Sequence, residues 1–241
     1  MQSNRNNRCI IPTADGSNTL VHPGNGQSYH SMNGALQEAR HVFLQNGLIH
    51  FLEQNGLTSA RILEVGFGAG LNFTVSAAYC LENRLSLQYT GIEPFPIGKN
   101  LLEESSYTSY LPDVASQQAF LEWYPSETPL VLPPLSPVEG NAGVTLHLLR
   151  QPVLDTGPLP SSDVIYFDAF APAVQPGMWT QEVISHVTSS LSTGGVFVSY
   201  SITGKLKRIL KELGFAVEKP EGAAGKREMI RATRSVVTNK F

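Results

Sequence analysis

Three glycines at alternate positions, Gly66, Gly68 and Gly70, separate a short apolar run, Arg61 to Val65, from a helix-like stretch, Leu71 to Glu82. Small residues there permit a tight turn and a close approach of backbone to ligand, and the helix N-terminus offers free N–H groups. One acid, Glu64, stands two residues before the first glycine, and a second, Glu93, ends the next apolar run 23 residues after Gly70. A carboxylate at a strand end accepts hydrogen bonds from both hydroxyls of a ribose. The arrangement suits a cofactor that carries a carboxylate or ribose hydroxyls. The spacing is G-x-G-x-G and not the G-x-G-x-x-G of dinucleotide binding, which disfavours a nicotinamide enzyme. Glycine spacing alone is a weak signal, and Glu64 and Glu93 standing merely as surface acids is the plain alternative.

The elements that position these residues follow from periodicity. Apolar residues at helical spacing over Asn33–Leu52 predict a helix with a pause near Asn46-Gly47, preceded by a polar segment of loop or short strands. Strands are predicted at Arg61–Val65, Leu85–Glu93, Gly143–Leu149, Asp163–Phe167 and Gly195–Ser201, and helices at Leu71–Glu82, about Thr180–Leu191 and Gly204–Leu213. The proline-rich stretch Pro125–Pro137 reads as an extended excursion, and Phe215–Lys219 with Arg227–Thr233 as a hairpin. Strands alternating with helices predict a parallel α/β sheet with an antiparallel edge. Residues 1–56 read as an N-terminal extension or cap and 57–241 as the main domain. In such a sheet ligands lie beyond the carboxyl ends of the strands, where the acids and glycines fall.

The length of 241 residues fits one ordinary domain, or one with an appendage. No apolar stretch approaches the roughly 20 residues that cross a bilayer, so a soluble, cytoplasmic protein without membrane partners is expected. Two cysteines, Cys9 and Cys80, make no disulfide framework, and the six histidines lack metal-ligand spacing, so no metal is expected. Cys80 is expected to be buried and inert. The net charge of −3 conceals an asymmetry: residues 205–241 hold ten basic side chains against four acids. A basic end on an acidic body suits approach to a polyanion from one side, and equally a solvated helix face.

Glu64, the glycines and Glu93, read as LEVGFGAG and YTGIEP, resemble the pattern of the class I S-adenosylmethionine-dependent methyltransferases. Further stretches carry the resemblance to the methyltransferase domain of the tRNA 5-methylaminomethyl-2-thiouridine biosynthesis family, MnmC or its stand-alone form MnmD. They are Tyr29-x-Ser-x-x-Gly34 with Gln37–Leu44, Gly66–Phe73, Ile92–Pro96, Phe167–Pro172 with Pro176–Thr180, and Gly225–Met229. They run in family order over residues 29–230. The resemblance implies an α/β, Rossmann-like, mostly parallel seven-stranded sheet with helices on both faces. It also implies methyl transfer from S-adenosylmethionine to the aminomethyl nitrogen at C5 of the wobble uridine, in the anticodon loop of tRNA. The family's long form adds a flavin oxidase domain; no flavin is expected in this chain, and a separate oxidase, or the enzyme that makes the amine, is a candidate partner.

Carried over by position, Glu64, Gly66, Gly68, Gly70 and Asn72 should surround the methionine portion, Glu93 the ribose and Phe95 the adenine, while Asp168 should face the methyl group as the catalytic residue. An amine near pKa ~10.4 is protonated at neutral pH, and freeing its lone pair costs about 4 kcal/mol over roughly three pH units. An aspartate is too weak a base to supply much of that, so orientation of the N–H groups is the expected role of Asp168, with the proton leaving to water. Its alternative is a helix-capping aspartate. Phe170 and Trp179 are candidates to stack on the base, or core aromatics. Lys226 and Arg227 are candidate phosphate or substrate contacts, flanked by Lys205, Lys207 and Arg208. Tyr29, Glu38 and Arg40 belong to the N-terminal motif, with internal packing as likely a role as substrate contact. Where relatives carry Gly-Asp after the third strand, this chain has Leu148-Leu-Arg-Gln-Pro152, leaving Gln151, Asp155 or backbone groups for adenine. A small-molecule methyltransferase and a non-catalytic binding subunit are the competing readings.

Overall fold

The computed structural model describes residues 9–135, 143–223, 225 and 227–235. It opens with an antiparallel ribbon, β1 (Cys9–Pro12) and β2 (Asn18–Val21). Asp15, in the turn between them, accepts hydrogen bonds from the Ser17 and Gln37 backbone N–H groups at 3.0 and 2.9 Å, and so caps the helix that follows. That helix starts as α1 (Ala35–Glu38), widens into turns bonded i to i+5 over Ala39–Ile49, and ends as α2 (His50–Asn55). The expected pause at Asn46-Gly47 is absent. Gly47 is there for packing: a Cβ would lie 2.8 Å from the Tyr166 ring and 3.1 Å from Val198 Cγ2, so glycine lets the helix press onto the sheet.

The chain then alternates strand and helix: β3 (Ser59–Val65), α3 (Leu71–Glu82), β4 (Ser86–Ile92), α4 (Lys99–Ser105), α5 (Val114–Trp123), β5 (Leu130–Leu132) and β6 (Gly143–Leu149). After these come β7 (Ser162–Phe167), α6 (Gln181–Ser189), β8 (Leu191–Ser199), α7 (Gly204–Glu212), β9 (Phe215–Glu218) and β10 (Ile230–Arg234). Strands β3 to β10 form one eight-stranded sheet in the order β5-β6-β4-β3-β7-β8-β10-β9, parallel from β6 to β8 and antiparallel at both edges. Seven of these are the expected strands. The eighth, β5, arises inside the proline-rich excursion and pairs antiparallel with β6. Pro129 and Pro133 flank it, a composition that an edge strand tolerates because its outer N–H groups need no partner.

Side chains along the central strands alternate between two buried layers. Ile62, Val164, Tyr166, Val196 and Val198 face one layer, with the N-terminal helix and α3; Leu63, Val65, Ile165, Phe167 and Phe197 face the other, with α6 and α7. Leu20, Phe43, Leu48 and Phe51, all before residue 57, share the first layer with Phe67 and Phe73. The N-terminal segment is thus packed on the sheet that carries the glycine loop. No helix among the described residues is long and apolar enough to cross a membrane.

Candidate active site

Strand order reverses beside β3: β4 and β6 extend to one side, β7 and β8 to the other. The loops leaving β3 and β7 therefore diverge above the sheet and open a crevice at their carboxyl ends. Gly66 follows β3 and Asp168 follows β7. The two loops touch: Gly66 has φ +89°, and a Cβ on it would stand 2.5 Å from the Asp168 carbonyl oxygen. Asp168 N–H donates to Val65 O at 2.9 Å, which locks the pair in register.

Beneath the loop lies a chain of acids joined by one amide. Asn72, in the first turn of α3, donates through Nδ2 to Glu64 Oε1 at 2.7 Å and to Asp168 Oδ2 at 2.8 Å. An amide oxygen in that place would repel the Asp168 carboxylate, which sets the amide's orientation. Tyr89, on β4, donates its hydroxyl to Glu64 Oε2 at 2.7 Å. Burial, and then the nearby charge of Asp168, push the Glu64 carboxyl well above the usual carboxylate range despite these donors. Asn72 Oδ1, also buried, has no hydrogen-bond partner among the described residues. On the opposite side of Asp168, His30 Nδ1 is 3.7 Å from Oδ2, with side-chain exposures of 9% for His30 and 3% for Asp168.

Glu93 stands immediately past β4 and ties the glycine loop to its own turn. Its Oε2 accepts from Gly68 N–H at 3.0 Å and its Oε1 from Phe95 N–H at 2.9 Å. Each carboxylate oxygen has two lone pairs, so hydrogen-bonding capacity remains beyond these contacts. Phe95 beside it is 55% exposed, a large apolar ring open at the crevice edge. Tyr124 donates its hydroxyl to Gly68 O at 2.7 Å and accepts from Ile97 N–H at 3.2 Å, fastening the loop from below. Glu93 N–H donates to Leu149 O at 3.0 Å, so Gln151 follows close behind the acid, half-buried, while Asp155 lies further on and is exposed.

The N-terminal motif forms the crevice wall. Tyr29 lies over the loop, where a Cβ on Gly68 would meet its ring at 3.2 Å, and it packs edge-on against Phe170 with centroids 5.3 Å apart; His22 joins them. Glu38 turns inward and accepts from Ser31 N–H at 2.9 Å, the internal role among its alternatives, whereas Arg40 is exposed. Of the two roles open to Trp179, stacking on a base or core, it takes the core: it is 3% exposed, lies edge-on to Phe167 at 5.0 Å, and donates its indole N–H to Phe170 O at 2.8 Å. Its ring buttresses the turn that presents Phe170. The half-buried Phe170 keeps its place at the wall.

The C-terminal motif folds back on the N-terminal one. His41 Nε2 is 2.8 Å from Glu221 O, and a Cβ on Gly225 would collide with the Asn33 amide. Arg227 is exposed at this turn; Lys226 lies outside the described residues. Alongside, Lys207, Arg208 and Lys211 of α7 and Lys219 line an open groove of about 350 Å³ with Gly204 and Val217, and Lys205 is exposed at the start of α7. Lys219 pairs with Glu228 at 2.8 Å. Cys80 is buried, which pushes its thiol up to about 12 and leaves it unreactive, as expected.

Known proteins are similar to this chain in sequence and in fold. A family model described as S-adenosyl-L-methionine-dependent methyltransferase matches residues 139–235. The tRNA 5-methylaminomethyl-2-thiouridine biosynthesis bifunctional protein MnmC of Burkholderia multivorans is 32% identical over 219 residues, 88% of this chain and 33% of that protein. The MnmC protein of Idiomarina loihiensis is 31% identical over 217 residues, 84% of this chain and 34% of that protein. The chain thus spans about a third of the length of these curated relatives. The crystal structure of MNMC2 from Aquifex aeolicus superposes with a TM-score of 0.71 at 26% identity, over 97% of this chain and 72% of that one. By its motifs, its fold and these similarities, the chain is similar over most of its length to the methyltransferase part of the MnmC proteins.

Proposed function

We propose that this chain transfers a methyl group from S-adenosylmethionine to the aminomethyl nitrogen of 5-aminomethyl- or 5-aminomethyl-2-thiouridine at the tRNA wobble position. The observation that carries the reading is the Glu64–Asn72–Asp168 network at the strand-order reversal, under a glycine loop whose far side is held by Glu93. The residues fit the methyl donor. The buried, unpartnered Asn72 Oδ1 is an acceptor suited to an ammonium group, the Glu93 carboxylate suits a ribose, and Phe95 offers an apolar face to a purine. When bound, the donor supplies an electrophilic methyl group on a positively charged sulfur.

The chain's own residues do the rest. Asn72 fixes the Asp168 carboxylate, which accepts an N–H of the substrate amine and aims its lone pair; such positioning is worth up to about 7 kcal/mol. Tyr29 and Phe170 exclude water and give a base a face to stack on. Arg227 and the groove of Lys207, Arg208, Lys211 and Lys219 are placed for phosphate contacts, with Lys205 flanking. Because the substrate must already carry a free amine, an amine-forming or amine-releasing reaction has to precede this one.

The reading is tested by incubating the protein with labelled S-adenosylmethionine and tRNA from cells lacking this methylation. Label should enter the tRNA, fall steeply with salt, and disappear in Asp168→Ala while donor binding persists. Each phosphate contact removed, as in Arg208→Ala with Lys211→Ala, should lower the slope of log affinity against log salt by about 0.7–0.9. Full activity of Asp168→Ala would refute the role of that carboxylate. Donor binding with salt-insensitive transfer to small amines would indicate a small-molecule methyltransferase, and absence of donor binding a non-catalytic subunit.

A further inference from the structure

Resting on the methyl-transfer reading, we propose that His30 is the proton acceptor of the site, acting with Asp168 as a histidine–aspartate pair. The substrate amine arrives as an ammonium and attacks only after losing a proton. Carboxylates ordinarily titrate near ~4 and imidazoles near ~6.5, so an imidazole narrows the mismatch with an amine near ~10 by more than two units. His30 Nδ1 lies 3.7 Å from Asp168 Oδ2, close enough for the carboxylate to stabilise an imidazolium and slightly beyond a hydrogen bond, a separation that a bound substrate can close. Both side chains are withdrawn from solvent.

The segment around His30 is built to hold it there. His30 N–H donates to Thr19 Oγ1 at 3.0 Å, Tyr29 N–H to Leu20 O at 2.8 Å and Ser31 N–H to Glu38 Oε2 at 2.9 Å. The imidazole lies edge-on to the Tyr107 ring, centroids 6.1 Å apart. Ionisable groups near the pair include Glu64 and Tyr89 behind Asn72 on the sheet side, Glu38 on the helix side, and the phenols of Tyr107 and Tyr200. Burial first, and the Asp168 charge among lesser causes, keeps both phenols well above their ordinary range, so they stay neutral.

The proton balance is simple. One N–H bond of the ammonium breaks and a ring N–H bond forms on His30; the freed lone pair makes the new N–CH3 bond as the S–CH3 bond breaks and its electron pair stays on sulfur. The product leaves as a secondary ammonium, and the imidazolium returns its proton to solvent. Asp168 keeps its charge throughout.

Two measurements test the pair. The first is an NMR titration of the ligand-free protein, with His30 assigned by comparison with His30→Asn. The His30 imidazole should titrate at lower pH in Asp168→Asn than in the wild type, and an unchanged titration overturns the pairing. The second is the pH dependence of single-turnover methyl transfer at saturating donor and tRNA. His30→Asn retains a nitrogen near the Nδ1 position and cannot accept a proton. It should lose about 100-fold near neutral pH, recover as the pH is raised, and bind the donor as the wild type does. A wild-type pH profile in His30→Asn overturns the proposal while leaving the methyl-transfer reading intact; an inactive wild type overturns the methyl-transfer reading and this proposal with it.

Discussion

Replacing Gly66 with alanine separates the geometry of the crevice from ordinary backbone strain. Gly66 adopts φ +89°, where an L side chain costs about 1–2 kcal/mol. The new Cβ would also lie 2.5 Å from the Asp168 carbonyl oxygen, about 1 Å short of ordinary contact, and the obstructing atom is backbone and cannot rotate away. Overpacking of this kind adds about 1–3 kcal/mol. Gly157 supplies the control, because it has φ +62° and a Cβ added there would meet no atom within 4 Å, so Gly157→Ala carries the strain alone. Urea unfolding should therefore show Gly66→Ala less stable than Gly157→Ala by about 1–3 kcal/mol. Relief of the overlap displaces Asp168 by a substantial part of that ångström, and a misplacement of about 1 Å lowers turnover roughly 100-fold. Methyl transfer should fall by that order in Gly66→Ala and stay unchanged in Gly157→Ala. Equal stability losses in the two variants, with full activity in both, would refute the contact between the loops.

Three further perturbations probe the supports of the site. The raised Glu64 carboxyl keeps its proton in the folded chain after the unfolded chain has lost it, so wild-type stability should fall as pH rises above the ordinary glutamate value. Glu64→Gln removes that titration, and its stability relative to wild type should increase as pH rises above the ordinary glutamate value; parallel curves would contradict the raised carboxyl. Asp15 is opposed by burial yet held down to about 2 by hydrogen bonds from Ser17, Thr13 and Gln37, so its stabilisation is present above the ordinary aspartate value and lost as pH falls towards 2. Asp15→Ala should cost about 1 kcal/mol at neutral pH as a lost helix cap, with the deficit shrinking in acid. Tyr124→Phe removes the hydroxyl that holds Gly68 O and should cost about 1 kcal/mol in unfolding, with weaker donor binding by calorimetry; unchanged donor affinity would show that the loop keeps its shape without it.

Local signals in the sequence carry much of this architecture. The glycine loop, α3 and β6 fall where periodicity puts them, because each is specified by neighbours within a few residues. The pairing of Glu64 with Asp168 is of another kind. Those residues lie far apart in sequence, and only the insertion of β7 beside β3 brings them to one amide. Tyr89 reads as a core aromatic until its hydroxyl is seen on Glu64, and Tyr124 carries no local mark of its bond to Gly68. His30 sits inside the Tyr29–Gly34 motif, the one signal that points towards it. Trp179 goes to the core because its indole N–H finds a backbone carbonyl there, a partner no spacing rule reveals. The three-residue β5 is hidden because its length and its flanking prolines resemble a loop.

The identity of the methylated atom is the central claim. Purified protein should be incubated with labelled S-adenosylmethionine and the unmethylated tRNA, and the digested nucleosides separated and weighed by mass spectrometry. The expected result is label in 5-methylaminomethyluridine or its 2-thio form, and loss of that label in Asp168→Ala. Label in any other nucleoside, or none in tRNA despite measurable donor binding, would contradict it.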